Sequence, residues 1–356
     1  MNVVFIADEL ASLGGIQRFV LSLGTELSSH GHNVILVALH DAPGTRLEGD
    51  LPYLAIGLPA RSPGQRQLAG RAHGEIQSLL EAIGTGVLML QSPSVVAWMS
   101  TVNTAGFRRV AFYHGPYSYA MAHYHRNFLG MHYRDFDDTI FLTAEDAQLL
   151  ASECGLRNAR HLPVAFLTPP KDGLVPIEAR PRRVLSVGRL VEDKGFDLAI
   201  RAFEQADDGS WTLDILGDGP EAANLLAQAR ESHTRGHDVR IRGPRTPEQI
   251  LEEYESAKLL VMGSKSEGFG LVISEAASRG VPTVALDVSA GVRTQIKHGN
   301  TGYLVPADHE RGFSSRMKEL MADAPLRSRM GRAACDYARN LSEGVSVAAW
   351  LDFLAE

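Results

Sequence analysis

The sequence predicts an α/β protein built from two doubly wound parallel-sheet domains. Two observations carry this: short apolar or β-branched runs alternate with amphipathic stretches of ten or more residues, and the alternation restarts midway after a proline-dense segment. The length, 356 residues, also suits about two domains at roughly 150 residues each. With 44% apolar and 22% charged residues the chain reads as an ordinary globular protein.

In the first half the strands are expected at 3–7, 33–39, 86–90, 109–113, 139–142 and 160–162. Between the first two, 17–31 places Phe19, Val20, Leu23 and Leu27 on one helical face. Thr143-Ala-Glu-Asp146 supplies a capping threonine with an acid three residues on, a good helix start. The second half begins again at 184–187 and continues with strands at 211–216, 239–241, 259–262 and 282–286. Thr246-Pro247-Glu248-Gln249 again reads as a helix start, with proline at the first helical position. Between the halves, residues 163–183 hold five prolines, so the expected division is a first domain over 1–163, a linker over 164–182, a second domain over 183–340, and a final helix over 341–356. That last stretch puts Val345, Ala349, Trp350 and Phe353 on one face, for packing back on the first domain or for a dimer contact.

Composition narrows the function. Thirty-five Lys and Arg against 42 Asp and Glu leave −7, which argues against a dedicated nucleic-acid binder. Cys154 and Cys335 stand 181 positions apart without a C-x-x-C, so neither a disulfide framework nor a structural zinc site is suggested, and a cytoplasmic location fits. The opening MNVVFIADEL reads as a first strand rather than a signal peptide or anchor.

In paired doubly wound domains the carboxyl ends of the two sheets are expected to flank a cleft, so chemistry is sought in the loops that follow strands. After the first strand, Gly14-Gly15 open a helix whose free N–H groups can receive an anion, although such a turn is also an ordinary structural one; no G-K-S/T follows, so it is not a P-loop. After the first strand of the second half, Val187-Gly188-Arg189 leads to Lys194-Gly195, two cations at a helix start that suit a diphosphate. The alternative is a pair of solvated charges. Between the strand at 259–262 and the next helix stand Glu267-Gly268-Phe269-Gly270-Leu271 and Glu275, two acids eight apart across a glycine-rich turn. Carboxylates there can accept hydrogen bonds from sugar hydroxyls, and either alone could simply be a cap.

These segments, with Gly31-His32, Leu216-Gly217-Asp-Gly-Pro-Glu221 and Gly299-Asn-Thr-Gly302, resemble the retaining glycosyltransferases of GT-B fold in glycosyltransferase family 4. The resemblance implies two Rossmann-like domains, a nucleoside-diphosphate sugar as co-substrate, no further cofactor and no metal. By it, Glu267 contacts donor-sugar hydroxyls, Glu275 holds the ribose, and Arg189 and Lys194 take the diphosphate with help from Gly15 and the backbone at 269–271. It also matches His114, at the end of Val110-Ala-Phe-Tyr-His114, to a histidine beside the donor sugar; taken alone, a histidine there is as readily structural. The catalytic candidates are thus His114, Arg189, Lys194 and Glu267, and the nucleotide base is expected near Gly243 and Pro244.

The spacing of Asp287 to Gly302 and of Phe136 to Asp146 is similar to enzymes that glycosylate teichoic-acid-like polyol phosphates, although Ala290-Gly291-Val292 stands where those often have Tyr-Gly-Pro. Four of thirteen histidines fall in 114–132. A metal site, an aromatic acceptor loop with Tyr117, Tyr119 and His123, or plain packing would each account for them. The expected activity is transfer of a hexosyl unit, with UDP-sugar the first choice of donor, to a glycan, surface polymer or lipid-linked acceptor; a nucleotide-sugar 2-epimerase or a non-catalytic partner subunit are the alternatives. Peripheral contact with the inner membrane face would suit such acceptors, yet the first 165 residues hold eleven Arg, no Lys and fourteen acids, a net −3 without a basic excess.

Overall fold

The computed structural model describes all residues except Leu13, Glu48, 59–64, 165–172 and 340–342, and describes the backbone alone at 65–69 and 343–345. The chain forms two units: Met1–Phe166 with Gly344–Glu356, and Leu167–Glu343.

The first unit contains β1 (Asn2–Ala7), α1 (Gly15–Ser29), β2 (Asn33–Ala38), β3 (Tyr53–Ala55), α2 (Gln65–Ile83), β4 (Gly86–Leu90), α3 (Pro93–Met99), β5 (Phe107–Tyr113), α4 (Tyr117–Ala122), α5 (His125–His132), β6 (Asp138–Phe141), α6 (Ala144–Cys154) and β7 (Ala159–His161). Its seven strands are parallel in the order β3-β2-β1-β4-β5-β6-β7. Helices cover both faces of such a sheet, so the inner strands are continuous apolar runs: Val3, Val4, Phe5 and Ile6 are wholly buried. Phe19, Val20, Leu23 and Leu27 form the buried face of α1. Thr143 accepts from the Asp146 backbone and begins α6, and Gly155 ends it in the left-handed conformation. The edge strand β3 was not foreseen. Three half-buried residues give no periodic signal.

The second unit contains β8 (Arg183–Val187), α7 (Phe196–Ala206), β9 (Thr212–Leu216), α8 (Ala222–Thr234), β10 (Asp238–Ile241), α9 (Pro247–Glu255), β11 (Leu259–Met262), α10 (Leu271–Ser278), β12 (Thr283–Asp287), α11 (Ala290–Gln295), β13 (Gly302–Pro306), α12 (Glu310–Ala322) and α13 (Ala324–Arg339). Its parallel sheet runs β10-β9-β8-β11-β12-β13. Thr246 and Gln249 form a reciprocal capping box at the start of α9. The core gathers Phe203, Leu213, Ile215, Val261, Val284 and Phe313 between the sheet and its helices. Of the expected linker, 165–172 lie outside the described residues, Val164 belongs to the first unit, and 173–182 belong to this one. Buried Arg180 donates to the carbonyls of Val175, Ala257 and Arg279.

The last helix, α14 (Glu343–Ala355), closes the first unit. Val345 is outside the side chains described. Trp350, fully buried, stacks on Phe112 at 5.8 Å and donates its indole N–H to the Pro163 carbonyl at 2.8 Å. Arg108 lies over the Phe353 ring at 4.3 Å and donates to the Phe353 carbonyl. Trp350→Ala should therefore destabilise the first unit by about 3–5 kcal/mol, the usual cost of emptying a buried aromatic site. Hydrogen exchange of β1 and β5 peptides under mild urea checks this, with second-unit peptides unaffected.

Candidate functional site

In the second unit strand order reverses between β8 and β11, and the loops leaving these two strands meet. Gly195 has a positive φ of 60°, and a Cβ on it would run into the Gly263 carbonyl. A Cβ on Gly263 would in turn sit 2.6 Å from the Gly195 oxygen. The two loops therefore touch backbone to backbone, and the Lys265 N–H bonds the Asp193 carbonyl at 2.8 Å.

This contact brings Lys194 and Glu267 together across 73 positions of sequence, with Nζ to Oε2 at 2.6 Å. Their side chains are 25% and 15% exposed, so the charge-assisted bond is partly shielded from water. The buried Ser264 hydroxyl reaches the same carboxylate oxygen at 3.4 Å. Arg189, on the β8 loop, is exposed, and its guanidinium has no hydrogen-bond or ion-pair partner among the described residues. Its backbone is nevertheless fixed from the β9 loop: Leu190 N–H bonds the Asp218 carbonyl, and Glu221 N–H bonds that of Leu190.

Gly268, buried Phe269 and Gly270 lead into α10, whose first residue is Leu271. Gly270 occupies the cap with φ 80°, and no side chain caps this helix. Ile273 N–H bonds the Gly270 carbonyl at 2.9 Å, while among the described residues the Leu271 and Val272 N–H groups are open to an acceptor. Glu275, in the second turn, accepts from the Tyr254 hydroxyl at 3.3 Å. Gly243 and Pro244 follow β10, and the Gly243 carbonyl accepts from Gly217 N–H, which ties them to the β9 loop.

In the first unit the corresponding reversal lies between β1 and β4. Gly14 caps α1 in extended conformation and Gly15 is its first residue. His114 leaves β5 stacked on Phe112, with Nε2 3.1 Å from Gln91 Oε1. Burial pushes its pKa down to about 4, so the ring is neutral at physiological pH. Tyr117 starts α4 with its N–H on the Asp146 carboxylate. The rings of Tyr119 and His123 lie 4.1 Å apart, with His125 beside them, and His123 is exposed. Among the described residues no group of three His, Cys, Asp or Glu is placed to hold a metal.

Sequence reading passed over a polar cluster at this reversal. Asp8 accepts from Ser92 Oγ at 2.5 Å and Ser94 Oγ at 2.7 Å, and Gln91, fully buried, leaves its Nε2 without a partner. The usable signal was Ser92-Pro93, a helix start placed directly after a strand.

Two doubly wound units, each with polar loops at its strand-order reversal, have the architecture in which ligands bind at the carboxyl ends of the strands. Residues 175–336 match the family model for glycosyl transferases group 1, and residues 13–163 match that for glycosyltransferase family 4. The chain belongs to these GT-B glycosyltransferases. It is 29% identical over 292 residues to an exopolysaccharide phosphotransferase of Streptomyces coelicolor, covering 79% of this chain and 30% of that protein. It is 33% identical over 164 residues to the D-inositol 3-phosphate glycosyltransferase of Corynebacterium diphtheriae, covering 44% and 38%. The chain thus spans well under two thirds of the length of these relatives. Among solved structures, S. aureus TarM in a complex containing UDP superimposes with a TM-score of 0.84 at 13% identity, over 100% of both chains. No helix among the described residues is long and apolar enough to cross a membrane.

The depressed His114 pKa has a consequence for stability. The unfolded chain takes up a proton near pH 6.5 and the folded one only near 4, so the first unit should lose stability as pH falls through that window and level off below it. Urea unfolding at stepped pH, with His114→Gln showing a shallower decline, checks this.

Proposed function

We propose that this protein is a retaining glycosyltransferase that moves a hexosyl unit from a nucleoside-diphosphate sugar, UDP-linked by preference, to a hydroxyl of a cell-surface polymer, glycolipid or glycan. The observation that carries the reading is the Lys194–Glu267 pair, set beside the unpartnered Arg189 and the uncapped start of α10. Donor cleavage places negative charge on the departing diphosphate and positive charge on the anomeric carbon. Arg189 offers a planar fork of donors to phosphate oxygens, Lys194 a compact charge, and the α10 terminus aligned N–H groups. These groups answer the leaving-group charge without calling on a divalent ion.

Glu267 accepts hydrogen bonds from donor-sugar hydroxyls while Lys194 turns toward phosphate. Glu275, oriented by Tyr254, takes the ribose hydroxyls, and the base lies toward Gly243 and Pro244. The acceptor oxygen attacks from the face the diphosphate leaves. The anomeric C–O bond to phosphate breaks, the bond to the acceptor oxygen forms, and the acceptor proton passes to a phosphate oxygen. The family membership and the UDP present in the TarM structure support the donor class. The name of the Corynebacterium relative gives one precedent for a hydroxyl-rich acceptor.

Thermal stabilisation by UDP, GDP and ADP in the presence of a metal chelator tests the reading. One nucleotide should raise the melting temperature, and Lys194→Ala should abolish the shift. In transfer assays Lys194→Ala and Glu267→Ala should each lower kcat by ~1,000-fold or more with the fold retained. Stabilisation by none of the three nucleotides would favour a non-catalytic partner subunit, and product formed from donor alone would favour a 2-epimerase.

A further inference from the structure

We infer that Gln295 is a positioning residue that aims the backbone amides at the start of α10 toward the donor diphosphate; this rests on the nucleotide-sugar reading above. Gln295 is only 3% exposed, at the end of the short helix α11. A buried amide is costly unless its hydrogen bonds are made. All of those made here go to one stretch of chain. Nε2 donates to the carbonyls of Phe269 and Gly270, the latter at 2.9 Å, and Oε1 accepts from the Ser274 hydroxyl on α10 itself.

In a trans peptide the C=O and N–H point in opposite directions. Drawing the Phe269 and Gly270 carbonyls toward Gln295 therefore turns the N–H groups of Gly270 and Leu271 away from it. Neither amide has an acceptor among the described residues, and no side chain caps the helix. The support is itself rigid: a Cβ on Gly291 would stand 2.6 Å from Phe269 Cα, so α11 lies directly on the turn, and Ser289 caps α11 at Val292. The two carbonyls can only accept, so they fix which way round the Gln295 amide faces, and the Ser274 hydroxyl donates to the Oε1 on the other side. A glutamine with one end committed to the Glu267–Leu271 turn and the other to Ser274 of α10 holds two adjacent donors in place before any ligand arrives, which spares the ordering cost at binding.

The test uses the intact protein and whichever of UDP, GDP and ADP stabilises the wild type, together with its parent nucleoside. Gln295→Met keeps length and apolar volume but removes both the donor and the acceptor; Ser274→Ala leaves the amide and its two donated bonds in place but removes the bond to Oε1. Gln295→Met should weaken nucleoside-diphosphate binding by ~10-fold or more, since hydrogen bonds to charged groups carry about 1.5–3 kcal/mol, while nucleoside binding measured by NMR titration changes less than about twofold. Transfer should lose more in kcat than in KM, because phosphate charge peaks in the transition state. Ser274→Ala should show the same selective loss, smaller in size, and carries the test alone if Gln295→Met does not fold. Parallel weakening of diphosphate and nucleoside, or no weakening, would overturn the inference while leaving the proposed function standing. A wild-type protein that binds none of the nucleotides would overturn both.

Discussion

The site depends on one close approach, that of Gly195 to Gly263. A side chain on either would meet the other's carbonyl oxygen, so the β8 and β11 loops can lie back to back only where both lack a Cβ. Parallel strands at a reversal of order send their loops apart, one helix to each face of the sheet, and leave a crevice between. Here the crevice is narrowed until a lysine from one loop and a glutamate from the other share a proton donor and acceptor at 2.6 Å. Arg189, the α10 terminus and Glu275 take their positions from the same two loops.

Much of the fold was legible because parallel strands are covered on both faces and so appear as unbroken apolar runs. β4 and β11 fall within the residues expected. β3 was invisible for the converse reason, being short and half-buried at a sheet edge, and β13 begins at the last glycine of the Gly299-Asn-Thr-Gly302 motif, with no strand expected there. At the site, Arg189, Lys194, Glu267 and Glu275 stood out because charged residues beside glycines after a strand are unusual and because they resemble a known pattern. Asp8, Ser92 and Gln91 did not, since single polar residues at strand ends have no spacing to betray them. Gln295 is harder still: one polar residue in a six-residue helix offers no periodicity, and its importance lies wholly in which carbonyls it meets.

Charge is arranged economically around the β8 and β11 loops. Lys194 and Glu267 neutralise one another, so this pair leaves no excess charge that would need solvent or distant counter-ions. Arg189 alone among the three is left exposed and unmatched within the described residues. Under the proposed function a diphosphate would engage Arg189 directly and Lys194 only by exchange for Glu267, which would free the Glu267 carboxylate.

The return of α14 to the first unit bears on how the chain acquires its structure during synthesis. The second unit is one uninterrupted stretch, Leu167–Glu343, whereas the first has Trp350 and Phe353 in its core and draws them from beyond it. On the ribosome the later-made unit can therefore close before the earlier-made one is complete. The seven-stranded sheet then keeps part of its apolar surface uncovered until Gly344–Glu356 emerge, which reverses the usual order in which the earlier-made domain of a growing chain matures first.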